Sequence, residues 1–406
     1  MSSPNNLIIN KSKPLIGNLK IPGDKSISHR SIILGAISNG ELTISNFLTS
    51  DDCNATINAM RELGADISLD DNQVHIKGKG LFSLKKPKRI IDAGNSGTLI
   101  RLLTGVLAVQ DFDSIITGDD SLKKRPMGRI IKPLISCGAK IEGNDYKAPL
   151  SIYGSSSLNP IEYDQDVASA QVKSCLILSA LHISGQSTFY EEIQTRDHTE
   201  NLLEHLSYEI NRDSNFLSLK GKQKLIAKDI FIGSDISSAA FFIVASLIVD
   251  GSCIEIRNVN INKFRTGIVT VLKGMGADIE ISDIRKISNE LLGNIKVKHS
   301  KLKCADLKGE IIPSLIDELP ILFIACASAS GTSKISGIEE LRYKESDRIM
   351  AMENGLREIG ITVHSSKDSI EITGGKITGG KVNSYDDHRI AMSFAIAGLI
   401  SENSLT

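Results

Sequence analysis

Runs of apolar and small residues alternate with short polar turns along this chain, in an order that recurs six times. Each copy begins with a turn containing glycine or aspartate, continues with a helical stretch rich in Ser, Ala, Ile and Leu, and passes through a second small turn into a strand of β-branched residues. Such repetition indicates supersecondary units that bury their apolar faces by packing on one another. The copies begin near Gly23-Asp24, Gly94-Asn95, Ala168-Ser169, Gly233-Ser234-Asp235, Ile316-Asp317 and Asp386-Asp387.

A second helix in each copy is predicted to end at a glycine. Glycine just past the last helical turn, followed by alternating apolar and polar residues, is typical of a helix end and the start of a strand. The third copy departs from this pattern, with His205-Leu206-Ser207-Tyr208 at the corresponding place. Each copy is therefore predicted to be roughly βαβαββ. The glycines concerned are Gly64, Gly138, Gly276 and Gly360.

Six copies of one α/β unit predict two domains of three copies each. The division is expected near Gly233, where the fourth copy opens. The sixth copy is expected to be incomplete, because its predicted helix, residues 389–400, is followed by six residues where the other copies have only begun their next strand. A chain of 406 residues that is 41% hydrophobic suits two cores of this kind.

Charge and cysteine usage exclude several classes of function. The formal net charge is −1, so no overall field attracts nucleic acid or an anionic membrane surface. The six cysteines form no CxxC pair, which argues against a zinc site or a disulfide framework and fits a reducing compartment. The first residues lack a signal-peptide pattern, and apolar stretches such as 239–249 fall short of the roughly 20 residues that span a bilayer. We expect a cytoplasmic protein without a bound metal or cofactor.

Polar residues gather at the predicted helix starts, where free N–H groups and the helix dipole attract phosphates and carboxylates. In the first copy, Lys25, Ser26 and Arg30 lie within a turn and a half, although an ordinary cap with exposed basic residues would explain them equally well. The second copy has a glycine-rich turn, residues 92–98, followed by Arg101. That turn matches neither the P-loop nor the dinucleotide fingerprint.

The remaining copies carry further charged residues, each with a simpler explanation when taken alone. Arg125 belongs to a charge run that a solvated surface would explain, and Asp317 could be a helix cap. The stretch 339–348 could form i,i+4 ion pairs, and a single His388 is more often structural than catalytic. Taken together, they predict a cleft between the two domains that binds substrates rich in phosphate and carboxylate groups, because arginine holds such groups by bidentate hydrogen bonds.

Seven motifs carry a resemblance to one enzyme family. They are PGDKSISHR, DAGNSGT with its following Arg, RPMGR, SAQVKS, TRDHTE, LRYKESDR and DDHRIAM. With these motifs in register over the whole chain, the sequence resembles the 5-enolpyruvylshikimate-3-phosphate (EPSP) synthases, in particular the bacterial subgroup with PGDKS and SAQVKS. The resemblance implies a two-domain inside-out α/β barrel with its active site in the interdomain cleft. It also implies that the N-terminal strand crosses over, giving domains of residues 22–233 and of residues 1–21 plus 234–406.

The same resemblance implies roles for particular residues. The catalytic residues would be Asp317, Glu345 and Lys25. Shikimate 3-phosphate would bind Lys25, Ser26, Arg30, Ser169, Ala170, Gln171, Thr195, Asp317 and Lys344. Phosphoenolpyruvate would bind Lys25, Gly97, Arg125, Gln171, Arg348 and Arg389. Supporting residues would be Asn95, Arg101, Arg196 and His388. Members of the family usually carry Ser where this chain has Thr195, which keeps the hydroxyl.

The implied reaction transfers the enolpyruvyl group of phosphoenolpyruvate to the 5-hydroxyl of shikimate 3-phosphate, in a monomer whose only partners are these small molecules. The family inhibitor glyphosate would occupy the phosphoenolpyruvate position beside Gly97. An enolpyruvyl transferase acting on a UDP-linked amino sugar is one alternative, but that family has a Cys shortly before its Arg-Pro, and residues 119–124 contain none. A non-catalytic scaffold that binds phosphorylated ligands is the other.

Overall fold

Each repeat contributes its helices in order along the chain. The structure is a computed structural model that describes residues 6–166 and 168–406, and eleven α-helices lie in that part of the chain. Their bounds are α1 Lys25–Ala36, α2 Asp51–Glu62, α3 Gly97–Leu107, α4 Gly128–Ser136, α5 Ala170–Ala180, α6 His198–His205, α7 Ile236–Ile248, α8 Gly267–Gly274, α9 Leu319–Ser328, α10 Arg348–Glu358 and α11 His388–Gly398.

The first helices of repeats one to five (α1, α3, α5, α7 and α9) are largely buried, whereas α11, the first helix of the sixth repeat, has an exposed side. In α9 every residue from Leu319 to Ala327 is buried, and in α5 every residue from Val172 to Ala180 is buried. Apolar or small residues on all faces allow this, whereas the second helices keep a polar face toward solvent. Most first helices begin at a side-chain cap, as at α1, where Asp24 accepts a hydrogen bond from the Ile27 amide.

The strands form five four-stranded sheets in the described residues. In each sheet one outer strand runs parallel to its neighbour, and the two central strands run antiparallel to each other. The strands are β1 Ile16–Leu19, β2 Asn39–Ser45, β3 Asp66–Asp70, β4 Gln73–Lys79, β5 Ile91–Asp92, β6 Ser114–Thr117, β7 Lys140–Glu142, β8 Leu150–Tyr153, β9 Glu162–Asp164, β10 Gln186–Tyr190, β11 Ile210–Asp213, β12 Phe216–Lys220, β13 Ile230–Phe231, β14 Cys253–Asn260, β15 Asp278–Ile287, β16 Glu290–Lys298, β17 Asp306–Leu307, β18 Thr332–Ser336, β19 Thr362–Ser365 and β20 Ser369–Thr373. The sheet orders are β13-β2-β4-β3, β5-β6-β8-β7, β9-β10-β12-β11, β1-β14-β16-β15 and β17-β18-β20-β19.

Two of the parallel outer strands come from distant parts of the chain. Strand β13 pairs with β2, with Ile230 opposite Ile44, and so closes the sheet of the first repeat with a strand that follows the third. Strand β1 pairs with β14, with Ile16 opposite Cys253. After α11 the sixth repeat makes isolated bridges, in which Leu405 pairs with Gly380 and with Ile9.

The irregular helix end of the third repeat keeps the geometry of the other copies. Gly64, which ends the α2 region, has a φ of 84°, and its amide donates to the Arg61 carbonyl. Ser207 has a φ of 62°, and its amide donates to the Glu204 carbonyl in the same way. The left-handed conformation that favours glycine is thus adopted by serine here, at a modest cost in backbone energy.

Contacts between Cα atoms group the described chain into two compact units. The N-terminal unit consists of Pro22–Gly233 and Lys286–Glu290. The C-terminal unit consists of the described residues through Ile21, together with Ser234–Arg285 and Leu291–Thr406. Each unit has its own cluster of buried apolar side chains. Within the described residues, none of the helices combines the length and apolar character needed to cross a membrane.

Candidate active site

Arg30, on the first turns of α1, is held by two neighbouring helices of the N-terminal unit. Its Nε atom donates to Thr199 Oγ1 at 2.8 Å, and its Nη2 atom donates to Ser174 Oγ at 2.7 Å. Its Nη1 atom donates to the backbone carbonyl of Ser26 at 2.9 Å. The half-buried Lys25 lies 3.1 Å from Asp52 Oδ2. Both cations of the first motif are therefore held by partners within the N-terminal unit, and the guanidinium has a fixed orientation.

At the start of α3, an asparagine links a buried arginine to an aspartate. Arg125 Nη2 donates to Asn95 Oδ1 at 2.7 Å, and Asn95 Nδ2 donates to Asp119 Oδ2 at 2.6 Å. Burial by itself raises the pKa of Asp119, but hydrogen bonds from Leu122 and Asn95 outweigh this and lower it. Arg125 is thus anchored beside the glycine-rich turn. Asp119 lies outside the motifs, so no sequence pattern indicates that it belongs to this site.

Gly97 permits two guanidinium groups to approach the first turn of α3. A Cβ atom at this position would lie 3.1 Å from Arg125 Nη1 and 3.2 Å from Arg101 Nη1, closer than nearly all real Cβ contacts. Arg101 in turn donates to Gln171 Oε1 at 2.6 Å, and Gln171 Nε2 donates to Thr98 Oγ1 at 3.1 Å. The motifs of the second and third repeats are therefore joined by direct hydrogen bonds.

The start of α5 and the turn before α6 bring the third-repeat residues together. Ser169 caps α5, whose first residue is Ala170, by accepting from the Val172 amide at 3.4 Å. Thr195 is buried, and its hydroxyl donates to Glu191 Oε1 at 2.5 Å. Arg196 follows it in a half-buried position. Glu191 was missed by the sequence analysis, since it lies outside the motifs.

In the C-terminal unit, Asp317 lies among three cationic residues. Lys344 Nζ donates to Asp317 Oδ1 at 3.2 Å, and Arg348 Nη1 lies 4.0 Å from the same oxygen. Arg389 Nη1 donates to the backbone carbonyl of Asp317 at 2.8 Å. Helix α9 begins at Leu319 with Glu318 as its N-cap residue, so Asp317 stands just before the helix.

Arg348, the first residue of α10, forms the most buried ion pairs of this group. It is 1% exposed, and its Nη2 atom donates to Glu345 Oε2 at 2.6 Å while its Nε atom donates to Asp387 Oδ2 at 2.8 Å. Burial opposes the charge of Arg348, but Glu345 and Asp387 outweigh burial and raise its pKa. Its buried Nη1 atom has no hydrogen-bond partner in the described part of the chain. His388 is exposed at the start of α11.

Helix α7, which opens the fourth repeat and the C-terminal unit, has a different environment at its start. Arg265 Nη2 lies 3.4 Å from Asp235 Oδ1 and donates to Ser237 Oγ at 2.6 Å, and the Ser237 hydroxyl also contacts Glu318. All four residues are buried. The buried acid–base cluster joins the start of α7 to the start of α9, next to Asp317. None of these four residues belongs to the predicted site.

The candidate site residues thus form two groups, one within each unit. A sequence profile described as EPSP synthase (3-phosphoshikimate 1-carboxyvinyltransferase) matches residues 9–406. A 3-phosphoshikimate 1-carboxyvinyltransferase of Legionella pneumophila (strain Corby) is 48% identical over 399 residues, covering 97% of this chain and 92% of that protein.

A protein of the same name from Coxiella burnetii (strain CbuK_Q154) is 46% identical over 393 residues, covering 96% of this chain and 90% of that protein. Among solved structures, an EPSP synthase from Acinetobacter baumannii matches with a TM-score of 0.87 at 43% identity, covering 98% of this chain and 92% of that one. The likeness in structure confirms the α/β fold class that the repeats and motifs predict.

Proposed function

The chain belongs to the EPSP synthase family, and we propose that its reaction is carried out by the two groups of residues described above. The enzyme transfers the enolpyruvyl group of phosphoenolpyruvate to the 5-hydroxyl of shikimate 3-phosphate and releases phosphate. It thereby acts in the shikimate pathway, which leads to chorismate and the aromatic amino acids. The two groups act on the same pair of substrates, in a cleft between the two domains.

The proton transfers are assigned to two carboxylates of the C-terminal unit. Glu345 protonates the methylene carbon of phosphoenolpyruvate, which leaves an electron-poor carbon for the 5-hydroxyl to attack. Asp317 takes the proton of that hydroxyl as the tetrahedral adduct forms. Return of the proton from carbon to Glu345 and loss of phosphate, which carries away the proton taken from the 5-hydroxyl, then give the product. The 3.2 Å contact between Lys344 and Asp317 is the observation that supports the assignment of Asp317, because the carboxylate lies beside a cation able to hold an anionic substrate.

Shikimate 3-phosphate is assigned mainly to the N-terminal unit. Arg30 and Thr195 are held in place by neighbouring side chains, and Lys25 offers a half-buried ammonium. Charge-assisted hydrogen bonds from such prepositioned groups suit a sugar-like phosphate. The full proposed set is Lys25, Ser26, Arg30, Ser169, Ala170, Gln171, Thr195, Asp317 and Lys344, with Arg196 supporting.

Phosphoenolpyruvate is assigned to arginines of both units. Arg125 is fixed by Asn95, and the buried Arg348 keeps one donor atom, Nη1, for a ligand. An anion bound there would also make the electrostatic potential at Glu345 more negative, because Arg348 contacts Glu345 at 2.6 Å. Lys25 contacts both substrates and offsets their combined negative charge. The full proposed set is Lys25, Gly97, Arg125, Gln171, Arg348 and Arg389, with Asn95, Arg101 and His388 supporting.

Neither alternative function is favoured. The relatives that cover nearly all of the chain carry the name of the shikimate enzyme, and the profile of that family matches from residue 9 onward. A scaffold without activity would have no need for the carboxylate Asp317 beside Lys344 and Arg348. We further propose that the protein acts as a monomer in the cytoplasm, without nucleic acid as a partner. Six free cysteines support a reducing compartment.

A phosphate-release assay tests the proposed function. We expect release only when phosphoenolpyruvate and shikimate 3-phosphate are both present, and none when UDP-N-acetylglucosamine replaces the shikimate compound. The product is identified by the vinyl protons of its enolpyruvyl group in a proton NMR spectrum. Binding of both substrates without phosphate release would instead favour the scaffold.

A further inference from the structure

Lys173 lies in the interior of the N-terminal unit with two carboxylates around its ammonium group. Its side chain is 2% exposed, and Nζ lies 2.8 Å from Glu191 Oε2 and 2.6 Å from Glu200 Oε1. Burial favours the neutral amine, but the two glutamates outweigh it and raise the pKa of Lys173, while burial raises the pKa of Glu200. Burying such charges is costly unless each is well paired. The reaction described above uses none of the three.

The triad of Lys173, Glu191 and Glu200 joins three separate segments. Lys173 is on α5, Glu191 directly follows β10, and Glu200 is on α6. The turn between β10 and α6 folds around Glu191, whose Oε1 atom accepts from the Thr195 hydroxyl at 2.5 Å and from the Thr195 amide at 3.3 Å. Lys173 Nζ also lies 3.5 Å from the Thr195 carbonyl oxygen. The orientation of Thr195 is thus set by the triad.

The same triad fixes α6 against α5, and this affects Arg30. Thr199, next to Glu200 on α6, accepts from Arg30 Nε at 2.8 Å and donates to Ser174 Oγ at 2.8 Å. Ser174, next to Lys173 on α5, accepts from Arg30 Nη2 at 2.7 Å. The two side-chain hydroxyls that accept from Arg30 therefore belong to residues adjacent to two members of the triad. A shift of α6 relative to α5 would pull these two acceptors apart.

We propose that Lys173, Glu191 and Glu200 are positioning residues for shikimate 3-phosphate, acting on Thr195 directly and on Arg30 through Thr199 and Ser174. The proposal rests on the proposed assignment of Thr195 and Arg30 to this substrate. None of the three touches the substrate. The contact that anchors Arg125, with Asn95, does not involve the triad. Disturbing the triad should therefore weaken shikimate 3-phosphate binding far more than phosphoenolpyruvate binding.

The principal test is Glu191→Gln, which keeps the size of the side chain and lowers the number of buried charges. We expect the Kd of shikimate 3-phosphate, measured by calorimetry, to rise about tenfold, because a charge-assisted hydrogen bond to Thr195 becomes a neutral one. The KM of phosphoenolpyruvate and the kcat at saturation should change by less than about threefold. Lys173→Met should have a larger effect of the same kind, and Lys173→Arg, which keeps the charge, a smaller one.

Tyr208→Phe serves as the matched control in the same unit. It removes a hydrogen bond from a largely buried hydroxyl to the Lys220 carbonyl, 2.9 Å away, without touching the triad, and its Kd should equal that of the unmodified enzyme. If Lys173→Met does not fold, Glu191→Gln decides. An unchanged Kd in Glu191→Gln, with Thr195→Val and Arg30→Lys both weakening binding, would overturn the positioning role alone. An unchanged Kd in Thr195→Val and Arg30→Lys would overturn the substrate assignment, and the positioning role with it.

Discussion

Arg348 and Asp387 form a buried ion pair between the starts of two different helices. Arg348 is the first residue of α10 and donates from Nε to Oδ2 of Asp387, the N-cap residue of α11, at 2.8 Å. Asp387 also accepts from the Arg389 amide at 2.9 Å. The Asp387 carboxylate therefore holds the guanidinium of Arg348 directly. It also positions Arg389, because it caps the first turn of α11, where Arg389 lies. Both arginines are assigned to phosphoenolpyruvate.

Replacing Asp387 with Asn should weaken phosphoenolpyruvate binding and lower stability. Asparagine caps helices as well as aspartate does, so α11 should keep its start. Arg348 loses a charged partner inside the protein, and we expect a loss of about 1–3 kcal/mol in the free energy of unfolding and about a tenfold rise in the KM of phosphoenolpyruvate. Urea denaturation and initial rates measure these. The matched control is Asp347→Asn, which caps α10 but pairs with Arg342 instead. Equal effects of the two substitutions would contradict the prediction.

Replacing Asp317 with Asn should reduce turnover much more than substrate binding. The amide keeps the shape of the side chain but cannot accept a proton from the 5-hydroxyl, so kcat should fall by about 10²–10⁴-fold. The Kd of shikimate 3-phosphate should change by less than about threefold. Phosphate release and calorimetry measure the two quantities. A variant with nearly normal turnover would leave Asp317 a structural role at the start of α9.

Replacing Gly97 with Ala should affect the inhibitor glyphosate more than phosphoenolpyruvate. The added methyl group would lie 3.1 Å from Arg125 Nη1 and 3.2 Å from Arg101 Nη1, so both guanidiniums must shift. The bulkier inhibitor should tolerate this less well, and its inhibition constant should rise by a larger factor than the substrate KM. Gly274→Ala is the control, since a Cβ there meets no atom within 4 Å. An equal rise in the inhibition constant of glyphosate and in the KM of phosphoenolpyruvate would contradict the prediction.

His29 should make stability depend on pH. Burial, together with the nearby Lys25, lowers the pKa of His29 from 6.5 to about 3. Below pH 6.5 the unfolded chain therefore binds a proton that the folded protein does not, and the free energy of unfolding should fall by up to about 1.4 kcal/mol per pH unit from this residue. Urea denaturation at pH 7.5, 6.5 and 5.5 measures the fall. In His29→Gln the free energy of unfolding should fall less steeply with decreasing pH, by up to about 1.4 kcal/mol per pH unit. The same pH dependence in the variant and the unmodified protein would show that His29 is not its source.

Much of the fold was predictable because capping residues and glycines within each repeat mark where its helices begin and end. Asp24, Ser169 and Asp387 cap helices at the places where the sequence predicts helix starts. The fifth repeat differs: α9 begins at Leu319 with Glu318 as its N-cap residue, so the interpretation of Asp317 as a helix cap was wrong. The end of the second helix in the third repeat could not be recognised from the sequence, because Ser207 stands in place of glycine there. Ser207 nevertheless adopts the left-handed conformation that glycine has in the other repeats.

The side chains of the candidate site could be picked out from the motifs, but the residues that hold them in place could not. Arg30 is part of a motif, whereas Thr199, which fixes its Nε atom, lies 169 residues away. Glu191 and Asp119 lie outside the motifs, and local sequence spacing does not show that they pair with Thr195 and Asn95. Such partners depend on how distant helices and turns pack, which a pattern within one repeat cannot encode.

The pairing of β1 with β14 has a consequence for folding during synthesis. The amide of Leu15 and the hydroxyl of Ser252, which bond beside this strand pair, are 237 residues apart. The main segment of the N-terminal unit, Pro22–Gly233, lies between them, and its ends meet where the Asp24 amide donates to the Gly233 carbonyl at 2.9 Å. Once that unit has folded, the flexible chain between β1 and β14 is effectively only a few tens of residues long. The entropic cost of closing this loop then falls by about 2 kcal/mol. A strand that leaves the ribosome early can thus find a late partner because the chain between them has already folded upon itself.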